Sequence, residues 1–547
     1  MRSLIDSSLP ASFFGPNMHA DEPHQARLCE GALATAAIQG RSPSQPLIVE
    51  YDCSNAHQRP AFLNSASSML APANRSGSVA VNYKTLLCLV LMLCAPRLLT
   101  AQAILHAFNW TYAEVAAKAP EIKALGYASV LVSPPLKSEG SAWWARYQPQ
   151  DYRLIDSPLG NTEDFRAMAA QLSSNGLQLY ADIVVNHMAN EAGQRPDLNY
   201  PGQRVLDRYA SNSAYYERQR LFGDLRENLL TAADFHEARC ISDYNNVFQV
   251  QNWRLCGGAG DAGLPDLNDH NRVVAQQRAY LQALKDLGVS GFRIDAAKHM
   301  SPKQLARIFT PDIRAGVFVF GEVITGAGVG DTGYSLYLAP YLANTDHSAY
   351  DFPLHSALRR GFAFGGDLRV LNDPLSNGQA LQSARAVTFT VTHDMPNNAI
   401  FRGQILDPVD ETLAYAYVLG RQGGRPLLYS DHNESGDRRW QDAYKRPDLR
   451  AMLHFHNQTL GEDQYQLASA PCFLMFRRGA KGVVGINKCG SAVDIEINAN
   501  FDKLSWYTTY RDVLSGAQIR IDRRDYRITI PARSARLWLR DDRKTAD

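Results

Sequence analysis

Three acidic residues stand at the ends of apolar runs. They are Asp295 in Gly291-Phe-Arg-Ile-Asp295, Glu322 in Val317-Phe-Val-Phe-Gly-Glu322, and Asp394 in Val387-Thr-Phe-Thr-Val-Thr-His-Asp394. Each run is β-branched or aromatic, which suits a buried strand, and a loop or helical stretch follows each carboxylate. In a (β/α)₈ barrel the strands carry their reactive groups at that end, where the strand–helix loops gather. Carboxylates converging on one rim can do nucleophilic and acid/base work on a glycosidic bond.

Neighbouring residues divide the labour. In Phe292-Arg-Ile-Asp295 the strand period of two sends Arg293 and Asp295 to the same face. A guanidinium beside a carboxylate favours the ionised form, which a glycosyl nucleophile needs. Glu322, partly desolvated among other carboxylates, has its pKa pushed up and can hold a proton for a leaving oxygen. Asp394 adjoins His393, and both could reach sugar hydroxyls. Taken singly, the segments also fit a structural Arg–Asp pair, a buried salt-bridge Glu and a His-Asp turn. Three carboxylates could instead hold a divalent metal, but Arg293 already places a positive charge there.

The elements that must position these groups alternate in type. Apolar runs near Ile104–Phe108, Ser129–Ser133, Leu177–Val185, the Asp295 segment, Val317–Phe320, Ser348–Phe352, Ala386–Val391 and Pro426–Ser430 read as eight strands. Between them lie helical periods: Tyr112–Leu125, broken or kinked at Pro120 and closed by Gly126; a helix capped by Asn161 with Asp164 three residues on; and Val273–Leu287, ended by Gly288. A closed parallel barrel is the natural solution. Residues 189–264 interrupt the rhythm with a polar, tyrosine-rich stretch too long for a plain loop, read as a small inserted domain after the third strand. From about Tyr465 the period switches to two, giving an antiparallel β-sandwich. The expected division is 104–188 and 265–462 for the barrel, 189–264 for the insertion and 463–547 for the sandwich.

Composition sets limits. The chain has 547 residues, 20% charged, with a formal net charge of +1. No basic surface argues for nucleic acid or an anionic membrane. Residues 1–83 show no sustained period and read as an extension absent from the mature protein, with Met69 a candidate start. Residues 84–103 read as a secretory signal peptide: one positive charge, a short apolar core and Ala101-Gln-Ala103. A membrane anchor is the alternative, but the apolar run is short for a permanent span. Cys29, Cys53, Cys88 and Cys94 fall in these regions. Cys240, Cys256, Cys472 and Cys489 remain, an even number that suggests disulfides in an exported chain. Three connectivities are possible, and the local pairs Cys240–Cys256 and Cys472–Cys489 are the favoured ones. The alternatives are four buried thiols or, without a Cys-x-x-Cys spacing, a zinc site.

These segments resemble the α-amylase family of glycoside hydrolases. Asp182-Ile-Val-Val-Asn-His187, Gly291-Phe-Arg-Ile-Asp-Ala-Ala-Lys-His299, Gly321-Glu-Val-Ile324 and Thr392-His-Asp394 look like its four signature regions in order. Leu264-Pro-Asp-Leu-Asn268 resembles its additional short motif, and Trp143-Trp-Ala-Arg-Tyr-Gln-Pro149 its aromatic donor-side segment. The resemblance implies Asp295 as nucleophile, Glu322 as general acid/base and Asp394 as the third carboxylate gripping sugar hydroxyls. It implies sugar contacts from Trp143, Trp144, Tyr147, Gln148, His187, Lys298 and His393, with Arg293 beside the nucleophile. It also implies a structural Ca²⁺ held by Asn186, Asp266 and the His299 carbonyl. Thr392 stands where chloride-activated relatives carry Asn, so chloride activation is not expected. The implied protein is a secreted monomer, extracellular or periplasmic, acting on α-glucans by internal hydrolysis. A relative that mainly transfers glycosyl groups, or a non-catalytic binding protein, is the rival.

Overall fold

A computed structural model describes residues 102–541 except 259, 433, 434 and 501. The expected extension, and the signal segment up to residue 101, lie outside the described residues. Ala103 does not: it is fully buried, and its carbonyl accepts the Ala128 N–H at 3.1 Å. The last residue assigned to the signal therefore belongs to the folded unit.

Eight parallel strands close a barrel. They are β1 (Ile104–Ala107), β2 (Ser129–Val132), β3 (Gln178–Ile183), β4 (Val289–Ile294), β5 (Phe318–Gly321), β6 (Ser348–Tyr350), β7 (Ala386–Thr388) and β8 (Arg425–Ser430), each beside its sequence neighbour, with β1 pairing β8. The strands are short and almost wholly buried, as a sheet covered on both faces requires. Their connections are helical. The helix Tyr112–Leu125 begins at a Thr111–Glu114 capping box and ends at left-handed Gly126. It runs unbroken through Pro120, contrary to the expected break. Asn161 caps the helix Thr162–Ser174, its side chain accepting from the backbone of Glu163 and Asp164.

Between β3 and β4 the insertion carries helices Gln203–Ser211 and Ser213–Gln219 and the short helix Val247–Val250. Val205, Leu206, Tyr209, Tyr216 and Leu225 form a small core of its own with Leu154. Cys240 and Cys256 are disulfide-bonded within it, and Cys472 with Cys489 beyond the barrel, the two expected pairs.

After the helix Pro447–Gln458 come eight antiparallel strands: β9 (Gln464–Ala470), β10 (Phe473–Arg478), β11 (Gly482–Asn487), β12 (Val493–Asn498), β13 (Thr508–Asp512), β14 (Gln518–Ile521), β15 (Asp525–Ile530) and β16 (Ser534–Asp541). Six form one sheet in the order β9-β10-β11-β16-β13-β14, and β12 pairs β15. The period of two explains how this sandwich attaches. Leu474 and Phe476 of β10 join the barrel's core, while Phe473 and Met475 face the sandwich interior with Ile497, Ile528 and Trp538.

Candidate active site

The expected carboxylates sit where the barrel strands end. Asp295 directly follows β4, and its N–H donates to Ile183 O at 2.9 Å; Glu322 directly follows β5, and its N–H donates to Ile294 O at 2.9 Å. Each backbone continues the ladder by one step, which fixes its side chain on the rim. Ala296, next after Asp295, has φ 49°, a left-handed conformation that a residue with a Cβ rarely adopts. Gly321 permits the close approach: a Cβ there would lie 2.5 Å from the Tyr341 hydroxyl and 2.9 Å from the Ala297 Cβ. Asp394 is placed differently from the expectation. β7 stops at Thr388, and Asp394 opens a short helix, Asp394–Asn397.

Arg293 is the hub. Asp182 on β3 stands beside it in register. Arg293 Nη1 donates to Asp182 Oδ1 at 2.9 Å and to Asp295 Oδ1 at 2.7 Å, and Nη2 donates to Glu322 Oε1 at 2.5 Å. Its Nε has no hydrogen-bond partner among the described residues. The sequence assigned this guanidinium to Asp295 alone; the fold shares it among three carboxylates.

That sharing changes the electrostatics. Burial pushes Asp182 up to about 7, against the pull of Arg293. Burial also raises Asp295, and Arg293 opposes it by charge and by hydrogen bond. Glu322 is raised by burial and by the Asp295 charge, and lowered by Arg293. Asp394 is raised well above its ordinary value, by burial and then by the Glu322 charge. One cation facing four buried carboxylates cannot keep all of them ionised, so the cluster retains protons. The simple expectation that Arg293 holds Asp295 ionised is corrected to a balance between Arg293 and burial.

Aromatic walls enclose the cluster. Trp143, Trp144, Tyr147, His187, His393, Leu255 and Leu264 line one pocket with Asp295, Glu322 and Asp394. The Tyr147 hydroxyl donates to Asp182 Oδ2 at 2.9 Å, and its ring stacks on His393 with 5.2 Å between centroids. His187 Nε2 lies 3.1 Å from Tyr147 O. Burial lowers His187 to about 4 and His393 well below its ordinary value, so both imidazoles are neutral near pH 7. The pocket opens into a cleft of about 1100 Å³ that Trp143, Trp144, Gln148, Asn190, Asp261 and Ile400 help to line. Gln148 Oε1 accepts the Asn190 N–H at 2.8 Å, so part of its bonding capacity holds the cleft wall. Lys298 stands to one side, its ammonium near Tyr337 and Tyr244.

The chain is similar along most of its length to one curated relative. The α-amylase of Aeromonas hydrophila is 54% identical over 456 residues, spanning 83% of this chain and 98% of that protein. The chain belongs to the α-amylase family. The family model "Alpha amylase, catalytic domain" matches residues 112–314, which include Asp182, Arg293 and Asp295. An α-amylase of Clostridium acetobutylicum is 25% identical over 427 residues, covering 73% of this chain and 49% of that one. Two solved structures share the fold. Wild-type α-amylase I of Eisenia fetida has a TM-score of 0.62 at 22% identity, covering 80% of this chain and 95% of its own. A three-domain cyclomaltodextrin glucanotransferase has a TM-score of 0.62 at 20% identity, covering 80% and 99%.

The ion site that the α-amylase family implies brings Asn186, Asp266 and His299 into question as donors. Asn186 Nδ2 lies 3.2 Å from Asp266 Oδ1, and His236 Nδ1 lies 2.6 Å from Asp266 Oδ2. Burial raises Asp266 to about 6, with His236 opposing. His299 contributes its ring to Val250 O at 3.1 Å, which leaves its carbonyl as the expected donor. Among the described residues no group of three or more His, Cys, Asp or Glu is placed to hold a metal. A cation here would rely on one carboxylate plus amide and carbonyl oxygens, a donor set that suits a hard ion such as Ca²⁺.

Sequence reasoning missed several side chains at this site. Asp182 is one that local spacing does not single out; its place inside β3 beside Arg293 is the available signal. Tyr244, Asn190 and Asp261 lie in irregular segments, and Tyr337 in the short π-helical turn Tyr334–Leu338, with no period to read.

Proposed function

We propose that this protein is an α-amylase that hydrolyses internal α-1,4-glucosidic bonds of starch, glycogen and related glucans by a retaining double displacement. The observation that carries this reading is the single aromatic pocket containing Asp295, Glu322 and Asp394. Asp295 attacks the anomeric carbon while Glu322 gives its proton to the departing oxygen. Glu322 then takes a proton from water, which displaces Asp295 and restores the anomeric configuration.

The resting proton supports this division. Burial and the neighbouring Glu322 charge raise Asp394 well above the ordinary carboxylate range. A proton held by the Glu322–Asp394 pair stands ready for the leaving oxygen, while Arg293 favours the ionised Asp295. When a sugar enters, its hydroxyls replace Glu322 as the partner of Asp394. His187, His393 and Gln148 offer polar atoms to hydroxyls, and Tyr147, Trp143 and Trp144 offer apolar faces to sugar C–H groups.

Ca²⁺ in this account is structural. Asn186, Asp266 and the His299 carbonyl would hold it, tying the insertion to the barrel. Chloride is no part of the account, because Thr392 offers a weaker anion ligand than Asn. The protein acts as an exported monomer after loss of its leader, at a cleavage that leaves Ala103 in the mature chain.

Proton NMR of the first products from maltooligosaccharides tests this reading. The α-anomer is expected before mutarotation; initial β-anomer would overturn the retaining mechanism. The product distribution on soluble starch over time separates internal hydrolysis from glycosyl transfer.

A further inference from the structure

The cleft of about 1100 Å³ meets the carboxylate pocket along Trp143, Trp144, Leu255 and Leu264, which line both. Pockets for one drug-sized ligand measure about 300–1,000 Å³, so this cleft has room for several linked sugars. One wall of it is the segment 257–263 of the insertion, with Gly257, Gly258 and Gly260 among the lining residues. A Cβ added at Gly258 or Gly260 would meet no atom within 4 Å. This wall therefore offers bare backbone where Trp143 and Trp144 offer rings.

Glycine restricts its backbone least of all residues, so a stretch rich in it keeps one shape only through added bonds. Asp261 supplies them. Its Oδ2 accepts the Gly257 N–H at 2.5 Å, and its Oδ1 accepts the Gly263 N–H at 3.1 Å and Asn190 Nδ2 at 2.6 Å. Burial raises the Asp261 pKa, and these three donors more than offset it, so the carboxylate stays ionised. An ionised carboxylate only accepts, which matches its three donors. Asn190 in turn donates its backbone N–H to Gln148 Oε1 at 2.8 Å. One chain of bonds thus runs from the glycine wall through Asp261 and Asn190 to Gln148, in the segment that carries Trp143 and Trp144. The neck of the loop closes without Asp261: Leu264 N–H donates to Leu255 O at 2.9 Å, beside the Cys240–Cys256 disulfide.

We propose that Asp261 is a positioning residue that fixes the glycine-lined wall relative to Trp143 and Trp144, and so sets how tightly the enzyme holds the α-glucan units farthest from the cleaved bond. This rests on the hydrolase reading. Asp261 spends its oxygens on the loop and on Asn190, so its effect reaches the substrate through the wall. Long substrates that extend along the cleft depend on it more than short ones held at the carboxylates.

The test uses the mature enzyme, maltotetraose and maltoheptaose, and the variants Asp261→Ala, Asn190→Ala and their double. The readout is the ratio of kcat/KM for maltoheptaose to that for maltotetraose. Asp261→Ala should lower this ratio about tenfold, mainly through KM for maltoheptaose, as expected for loss of charge-assisted hydrogen bonds. The lengths of its first products from maltoheptaose should change as well. Asn190→Ala keeps the backbone bond to Gln148 and the two glycine bonds to Asp261, and should lower the ratio about threefold. The double should match Asp261→Ala, since the Asn190 side chain acts through that residue. Equal losses on both substrates in Asp261→Ala, additive losses in the double, or an unchanged ratio in Asn190→Ala would overturn the proposal while leaving the hydrolase reading intact. If Asp261→Ala does not fold by thermal melt, the Asn190→Ala ratio decides alone. Wild-type enzyme that cleaves no α-1,4 oligosaccharide would overturn both.

Discussion

Arg293 Nη1 bonds Asp295 Oδ1 at 2.7 Å, and the same nitrogen reaches Asp182 Oδ1 at 2.9 Å. The nucleophile therefore competes with a second carboxylate, fully buried in β3, for one cation. The balance of burial against Arg293 sets the acid side of the activity profile, and the two carboxylates can be changed separately.

Removing the cation should move that limb upward. Burial raises the Asp295 pKa and Arg293 opposes it. In Arg293→Gln the opposition is lost, so Asp295 stays protonated to higher pH. The acid limb of kcat/KM should rise in pH, with activity at pH 6 down by about 10²-fold or more. Stability should also fall, by about 3 kcal/mol, because buried carboxylates lose their partner. A pH–rate series with thermal melts measures both.

Removing the competitor should leave the acid limb nearly in place, because Asp182 keeps its proton below about 7. Asp182→Asn deletes a charge that raises Asp394 only above that pH, so the profile should change on its neutral side. Asp182 titrates at about 7 in the fold, above its unfolded value. Such a group supports stability fully below its unfolded pKa, and that support disappears as pH rises through about 7. The melting temperature of Asp182→Asn relative to wild type should therefore improve between pH 5 and pH 8.

The two disulfides should separate stability from binding. Each closes a loop of similar size, with sequence separations of 16 and 17. Loss of either should cost about 3 kcal/mol in the chain-entropy estimate. Cys240–Cys256 adjoins Leu255, Gly257 and Gly258 on the cleft wall, whereas Cys472–Cys489 lies in the sandwich. Cys240→Ser/Cys256→Ser should raise KM for long substrates as well as lower the melting temperature. Cys472→Ser/Cys489→Ser should lower the melting temperature alone.

The ion should act on stability. Excess chelator should lower the melting temperature of the wild type by several degrees, since a ligand bound only by the folded state stabilises it by mass action. Asp266→Asn should lower it in the absence of chelator and abolish the further effect. An unchanged wild-type melt in chelator would count against a structural Ca²⁺.

The barrel was legible because its strands are short apolar runs separated by capped helices. Gly126 and the Asn161 cap appear in the structure where the sequence placed them. The rim positions of Asp295 and Glu322 followed from the strand ends. The sharing of Arg293 was not legible, because it depends on register between β3 and β4 rather than on local spacing. Asp394 was read as ending a strand because Phe389, Thr390 and Val391 keep an apolar, β-branched character past the last ladder residue, Thr388. In the sandwich, β9, β13 and β14 are hardest to read, because polar, exposed or half-exposed positions such as Gln466, Thr509 and Arg520 mask the alternation. The Tyr244–Lys298–Tyr337 arrangement joins three distant segments, which no single window of sequence can show.

The most direct test of the central claim is the initial rate of Glu322→Gln on soluble starch. Glutamine keeps the shape and cannot donate the proton. The account predicts a fall in kcat of about 10³-fold or more, with the fold intact by thermal melt. A variant that hydrolyses starch at the wild-type rate would contradict it.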